Sequence, residues 1–235
     1  MQSSGTEGHR QPPNPMFIYR ITHLDNLHII LTDQALYAPN FQEHRPAYKH
    51  ICDRRIQEGR REVVINVPPG GTLHDYVPFY FGYRPPMLLR LKQGHEGYNE
   101  GQEPLIYLVS NTKLIEEAGL QFVFTDGHAR VFNTKCFNNL SDLLHVDSKA
   151  IKLRMWGVNP DDDLDQRRKK EELKRRKQAE FLVHKKCFWS CIEEIGAFNQ
   201  GARLKVLEIF KRFPNELSRE VKIRKDWYYL DAGEK

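Results

Sequence analysis

Glu180 stands where a basic segment gives way to an apolar one. Arg167-Arg168-Lys169-Lys170 and Lys174-Arg175-Arg176-Lys177 precede it, and Phe181-Leu182-Val183, Phe188 and Trp189 follow. A carboxylate so placed has two available roles. It can cap a helix or pair with Arg176 or Lys177, as ionic groups do in purely structural networks. Alternatively, it is a catalytic or substrate-orienting acid at the base of a cleft to which the basic face draws a polyanion. Arg20 is a second candidate. It lies near the end of an early apolar strand and is followed at once by a helix opening at Thr22, so its guanidinium and the orphan helix amides converge as a pyrophosphate site would require. Its bland alternative is an edge-strand arginine reaching a surface carboxylate.

Aromatic and basic side chains supply a third group. Tyr76, Phe79, Tyr80 and Phe81, with Arg84 nearby, are the types that stack on a nicotinamide or a splayed nucleobase, although Phe79 and Phe81 read better as core. Arg54-Arg55, Arg60-Arg61 and the run from Arg167 to Lys177 could follow a phosphate backbone, with Lys174, Arg175 and Lys177 closest to Glu180. The run reads equally well as a solvated helix with pairs such as Glu171 to Arg175 and Glu172 to Arg176. Metal chemistry has weak support: Cys187 and Cys191 share a helical spacing but no matching Cys or His pair accompanies them. Asp161, Asp162, Asp163 and Asp165 lack the glycine and terminal glutamate of a calcium loop and are better read as acids opening a helix.

The elements that must position these groups follow from apolar periodicity. Strands are expected at Phe17–Ile21, Val63–Val67, after the turn Pro68-Pro69-Gly70-Gly71 through Phe81, at Pro104–Ser110, Gln121–Asp126 and from Glu180, with extended segments at Glu220–Ile223 and Trp227–Leu230. Helices are expected from Thr22, with Thr22 as cap and Asp25 at the capping-box position, and around Tyr48–Gln57. Further ones are expected at Asn111–Ala118, along the basic run, at Cys187–Ile195 and at Ala202–Phe213. The basic, aromatic segment from Tyr37 to Arg61 is long for inert linkage and reads as a substrate loop. Strands and helices mix without regular alternation, so the fold class is α+β.

With 235 residues, 40% of them hydrophobic, the chain can bury a substantial core. Its 36 basic and 31 acidic residues give a net charge of +5. No long uninterrupted apolar segment suggests a membrane span, and the polar start has no signal-peptide core, so a cytoplasmic location is the default expectation. The expected layout is a disordered tail at 1–15, one domain at 16–231 and a short tail at 232–235. A monomer is expected, with no membrane partner.

Several ordered stretches resemble the DarT family, the DNA ADP-ribosyltransferase toxins of bacterial toxin–antitoxin systems. They are Ile18-Tyr19-Arg20-Ile21-Thr22-His23-Leu24-Asp25-Asn26-Leu27, then Pro68-Pro69-Gly70-Gly71-Thr72-Leu73-His74-Asp75-Tyr76-Val77-Pro78-Phe79-Tyr80-Phe81, then Phe122-Val123-Phe124-Thr125-Asp126 and Gln178-Ala179-Glu180-Phe181-Leu182-Val183-His184. The resemblance implies an ADP-ribosyltransferase-like fold, a central mixed or antiparallel sheet with peripheral helices, that consumes NAD and moves ADP-ribose onto a base of single-stranded DNA. It also implies a macrodomain antitoxin of the DarG kind and no metal. The family's catalytic glutamate falls on Glu180 and its catalytic arginine on Arg60, with Arg61 or Arg55 as alternatives. NAD contacts are expected from Arg20, Thr22, Asn26, Tyr48 and Arg61, and DNA contacts from His74, Tyr76, Tyr80, Arg84, Lys174, Arg175 and Lys177.

Members that modify thymidine commonly carry a histidine after the first strand's tyrosine, where this chain has Arg20. The resemblance favours thymidine as the acceptor, and on the ground of Arg20 guanosine stays open beside it. The chemistry itself is consistent with the residues: breaking a nicotinamide–ribose bond builds oxocarbenium character at C1′, which a nearby carboxylate stabilises. A nuclease and a non-catalytic single-strand binding module are the competing readings. Glu180 separates them, because a pure binder has no use for an acid in a basic groove.

Overall fold

The apolar strand patterns place β1 (Phe17–His23), β2 (Ala35–Tyr37), β3 (Tyr76–Tyr80), β4 (Leu105–Asn111) and β5 (Phe122–Thr125). The second half contributes β6 (Cys136–Phe137), β7 (Glu180–His184), β8 (Lys186–Phe188), β9 (Glu194–Ala197) and β10 (Glu220–Ile223). The helices are α1 (Asn26–Asp33), α2 (Arg54–Arg61), α3 (Pro86–Gln93), α4 (Thr112–Glu117), α5 (Leu164–Lys177) and α6 (Gln200–Phe210). This computed structural model describes residues 15–43, 46–154 and 156–231. The expected tails, Pro15 aside, lie outside the described residues.

An eight-stranded sheet runs in the order β10-β9-β4-β1-β3-β7-β5-β6, and β2 pairs with β8 beside it. Only β10 and β9 are parallel; the other pairs in the sheet are antiparallel. The α+β expectation holds. Strand alternation sends side chains to opposite faces, and β4 shows the result. Ile106 and Leu108 enter one core with Leu27, Leu31, Val206 and Phe210, whereas Leu105, Tyr107 and Val109 enter another with Leu88, Leu91, Trp227 and Tyr228. Helices α1 and α6 therefore cover one face, while α3 and the C-terminal segment cover the other.

The sheet is weakest where the site lies. β1 pairs with β4 along seven positions, and β3 pairs with β7 along five, but β1 and β3 share only the register pair Tyr19↔Tyr80. The two halves splay apart beside that pair. The Arg20 Nη1 donates to the Pro78 carbonyl across the divide at 3.0 Å.

Some local expectations fail for identifiable reasons. Thr22 does not cap a helix; it is in β1, and α1 starts at Asn26 behind Asp25, which makes no side-chain cap bond. The pairing of β1 with β4 carries the strand on to His23. Val63–Val67 forms no strand but only a bridge, Val64↔Thr72, because the Gly70 and Gly71 turn at φ 81° and 84° folds it back on itself. The helix expected around Tyr48–Gln57 is displaced to α2, capped by Asp53 accepting from the Arg55 amide at 2.9 Å. Cys187–Ile195 is not a helix: it supplies β8, a short 3-10 turn and the start of β9, since its apolar residues serve two sheets. Trp227–Leu230 contains no strand.

Candidate active site

Glu180 opens β7 opposite Tyr80 of β3, at the splayed line of the sheet, and is 1% exposed. Its partner is neither Arg176 nor Lys177. Arg60, at the end of α2, holds it in a two-pronged fork, Nη1 to Oε1 at 3.1 Å and Nη2 to Oε2 at 2.8 Å. The Ala129 amide also donates to Oε1, at 3.3 Å. The backbone is fixed too: the Glu180 amide donates to Thr125 Oγ1 at 3.0 Å, and that hydroxyl donates to the Gly127 carbonyl at 2.7 Å.

Burial alone would push the Glu180 carboxyl up, yet the Arg60 charge and its hydrogen bonds more than offset that and hold it below the usual carboxylate range. Arg60 is likewise kept protonated: burial works against its charge, and Glu180 prevails. The site thus holds a dry ion pair with planar, bidentate geometry. Of the three arginines considered, only Arg60 reaches Glu180. Arg55 and Arg61 are exposed.

Three more groups face this pair. Burial, with the Glu180 charge adding, raises the Tyr80 phenol well above its ordinary value, so it stays protonated. Burial lowers the His128 imidazole, partly against the attraction of Glu180, which leaves it neutral near pH 7. Burial also raises the Cys52 thiol, while the Arg20 and Arg60 charges pull the other way. His128, Ala129 and Thr125 were missed in the sequence. Their only signal is a turn directly after β5 that carries a lone histidine, a residue type that serves structural and catalytic sites alike.

The expected NAD residues divide by position. Arg20 bridges the splay, and its Nε is buried without a hydrogen-bond partner among the described residues, a donor in need of an acceptor. Thr22 and Asn26 are turned to structural use. Asn26 Nδ2 donates to Thr22 Oγ1 at 3.1 Å and to the Lys49 carbonyl at 2.9 Å, and the Lys49 amide donates back to Oδ1 at 2.7 Å. That clamp fixes the segment carrying Tyr48, whose ring lies 5.2 Å from that of His50. Lys49 also pairs with Asp25 at 2.9 Å and Glu100 at 3.1 Å. A cavity of ≈ 270 Å³ lined by Lys49, His50, Glu96, Tyr98 and Glu100, among others, opens beside it, away from Glu180.

Most of the residues expected to contact DNA are turned inward in this structure. Tyr76 is fully buried with its hydroxyl donating to the Gly70 carbonyl at 2.6 Å, and His74 is 5% exposed. Arg84 is 9% exposed and packs over Tyr83. Arg175 pairs with Asp126 at 3.0 Å and Glu172 at 2.8 Å, and Lys177 Nζ donates to the Leu153 carbonyl at 2.6 Å. Both point into the protein because α5 must pack its C-terminal turn on the 3-10 segment Ala150–Lys152 and the Gly127 turn. The Arg175 guanidinium lies directly against Gly127. Lys174 stays half-exposed near Trp156 and Glu171. Tyr80 is half-buried beside Glu180, its hydroxyl 3.7 Å from the Met87 sulfur. Glu172 does pair with Arg176, as the helix spacing implied, at 2.7 Å. Of the acids read as helix-opening, Asp163 caps α5 by accepting from the Gln166 amide at 2.8 Å and Asp165 lies in its first turn, whereas Asp162 pairs with Lys170. No group of three or more metal-ligating side chains occurs among the described residues.

A splayed antiparallel sheet with an arginine-clamped carboxylate on its inner strand defines an enzyme of the ADP-ribosyltransferase fold. The solved structure of Thermus sp. 2.9 DarT in complex with ADP-ribosylated ssDNA superimposes with a TM-score of 0.84 at 42% identity, covering 94% of this chain and 99% of that one. The same Thermus protein in complex with NAD+ gives 0.81 at 41% identity, over 93% and 100%. In sequence, the DNA ADP-ribosyl transferase of Thermus sp. (strain 2.9) is 43% identical over 220 residues, 94% of this chain and 99% of the relative. The family model for DarT, ssDNA thymidine ADP-ribosyltransferase, matches residues 19–229. The chain belongs to the DarT family.

Proposed function

We propose that this protein splits NAD and transfers the ADP-ribose to a thymine of single-stranded DNA, with Glu180 and Arg60 at the reacting centre. The observation that carries the reading is the Glu180–Arg60 fork at the splay between β1 and β3. A carboxylate kept ionised in a dry pocket gains most when a positive charge develops beside it, which is what scission of the nicotinamide–ribose bond produces. Its electrostatic stabilisation of C1′ is stronger here than in water.

Arg60 does two things in this reading. Its fork holds the carboxylate in one orientation before substrate arrives, and its remaining N–H donors can orient an acceptor base. Because a guanidinium stays protonated, Arg60 is an orienting and charge-balancing group before it is a proton acceptor. Arg20, with its unpartnered Nε and its place on β1, takes the dinucleotide's pyrophosphate or ribose. The departure from the histidine common in that position bears on NAD contacts, and the thymidine assignment of the family supports thymine over guanine as acceptor.

The biological role follows the same reading: a toxin that modifies DNA and is countered by a macrodomain antitoxin able to remove the ADP-ribose. The test is incubation of the protein with NAD and oligonucleotides of each base composition, followed by product masses. A gain of one ADP-ribose on thymine-containing strands alone is the expected result. Modification of guanine-only strands would overturn the acceptor assignment, and absence of any adduct would overturn the transferase reading.

A further inference from the structure

With His74, Tyr76, Arg175 and Lys177 facing inward, the strand needs another surface beside Glu180, and the turn after β5 presents one. Ala129, whose amide donates to Glu180 Oε1, is followed by two consecutive turns, closed by the Val131 amide on the His128 carbonyl and the Thr134 amide on the Val131 carbonyl, both at 2.9 Å. Thr134 Oγ1 also donates to the His128 carbonyl at 2.9 Å, and Arg175 Nη1 donates to Thr134 Oγ1 at 3.1 Å. The base of the turn is therefore stiff. At its tip the Phe132 side chain is wholly exposed, with a relative accessibility of 104%, and Val131 beside it is 41% exposed.

A rigidly held turn that places a phenyl ring in water has no folding reason, since burying that ring would stabilise the protein by roughly 1.5–3 kcal/mol. Phe132 is three positions on from Ala129, so its Cα lies within about 11 Å of the amide that touches Glu180. The surroundings are cationic. Arg130 is exposed and packs its guanidinium against Gly59, one residue before Arg60, while Arg61 and Lys135 are exposed as well. None of these three forms an ion pair among the described residues. An exposed ring amid free cations, next to a catalytic carboxylate, is the arrangement that holds single strands by stacking and phosphate contact.

We infer that Phe132 is a stacking platform for the nucleobase adjacent to the acceptor, with Arg130, Arg61 and Lys135 taking the phosphates on either side. This deepens the transferase reading and rests on it: it names which part of the protein grips the strand outside the reacting centre. A platform acts on strand affinity and not on bond breaking. It also adapts to any base, because every base has a stacking face.

The experiment compares the parent protein with Phe132→Ala, Phe132→Leu and Phe132→Trp. Alanine should raise the oligonucleotide KM about ten-fold while kcat at saturating DNA and affinity for a non-hydrolysable NAD analogue hold, as stacking losses do. Leucine, apolar but without a ring face, should behave as alanine, and tryptophan should match the parent. In Phe132→Trp, a thymine oligonucleotide should quench fluorescence beyond the change seen in the parent protein. An oligonucleotide KM for Phe132→Ala within two-fold of the parent, or equal quenching in both proteins, would overturn the platform. Failure of the parent protein to modify any strand would instead sink the transferase reading, and the quenching measurement, which needs no turnover, would still decide the role of Phe132.

Discussion

At the scale of single residues, Glu180 and Arg60 define each other, and their energetics differ from those of a surface pair. Each is nearly excluded from water, so removing one leaves the other as an uncompensated buried charge. Arg60→Ala is therefore expected to cost about 3–5 kcal/mol of stability, and Glu180→Gln less, because its amide oxygen still accepts from the guanidinium. The double variant Arg60→Ala/Glu180→Gln should cost less than the sum of the single changes. Urea denaturation of the four proteins measures this coupling, and simple additivity would mean that the fork contributes nothing. Transfer by Glu180→Gln should fall by at least about a hundred-fold even where the variant remains folded. Since Glu180 titrates below its ordinary value in the folded state, its contribution is fully present above pH 4.5, the ordinary carboxylate value, and is lost as the pH falls through the folded one. Arg20→Ala should weaken binding of an NAD analogue while leaving oligonucleotide affinity nearly unchanged, and Arg20→Lys should restore little, because an ammonium cannot reproduce the fork. Equal analogue affinity in Arg20→Ala would end that assignment. Glu180 was legible from its place at a polarity boundary, but its partner was not. Arg60 is 120 residues away in the chain, and local spacing pointed instead to the nearer Arg176 and Lys177.

At the scale of elements, local signals sufficed wherever one face decides the structure. β4 and β5 read as strands because their apolar runs enter the core, and α4 begins where Asn111 accepts from the Leu114 amide at 3.0 Å. The failures share a different cause. Val63–Val67 has strand-forming residues but no neighbour to extend along, and Cys187–Ile195 is apolar on a spacing that suits a helix although tertiary pairing draws it into sheets. The basic helix α5 was found, but its direction was not: a run of cations does not reveal which of them the packing will turn inward. Lys177 is the clearest example. Burial, reinforced by the Arg84 charge, lowers its amine to about 8, and its Nζ binds the Leu153 carbonyl at 2.6 Å. Between pH 8 and the unfolded value of 10.5 the unfolded chain binds more protons at this position than the folded one, so Lys177 makes stability rise with pH through that window. Lys177→Met lacks this term. The stability of the parent protein relative to Lys177→Met should increase from pH 8 to pH 10.5, while hydrogen exchange near Ile151–Leu153 should be faster in the variant at every pH. A constant stability difference across the window would show that the amine does not titrate there.

At the scale of the whole molecule, the excess of 36 basic over 31 acidic residues is modest, so attraction for a polyanion depends on where the unpaired cations lie. Much of the charge on α5 is spent internally: Lys170 pairs with Asp162 at 2.7 Å, and Arg175 and Arg176 share Glu172. Arg168 and Lys169 are exposed on the same helix but are each about three turns before Glu180. Arg61, Arg130 and Lys135, by contrast, surround the turn that touches Glu180. Phosphate contacts release counterions, and for a single strand each one contributes about −0.7 to the slope of log K against log salt. Replacing Arg61, Arg130 and Lys135 together by glutamine should therefore flatten the slope for a thymine oligonucleotide by about 2. The pair Arg168→Gln and Lys169→Gln should leave it unchanged. Salt titrations of the parent protein and both sets distinguish a strand that crosses the turn after β5 from one that follows α5. A flattened slope in the α5 set alone would move the DNA path to the helix and away from Phe132.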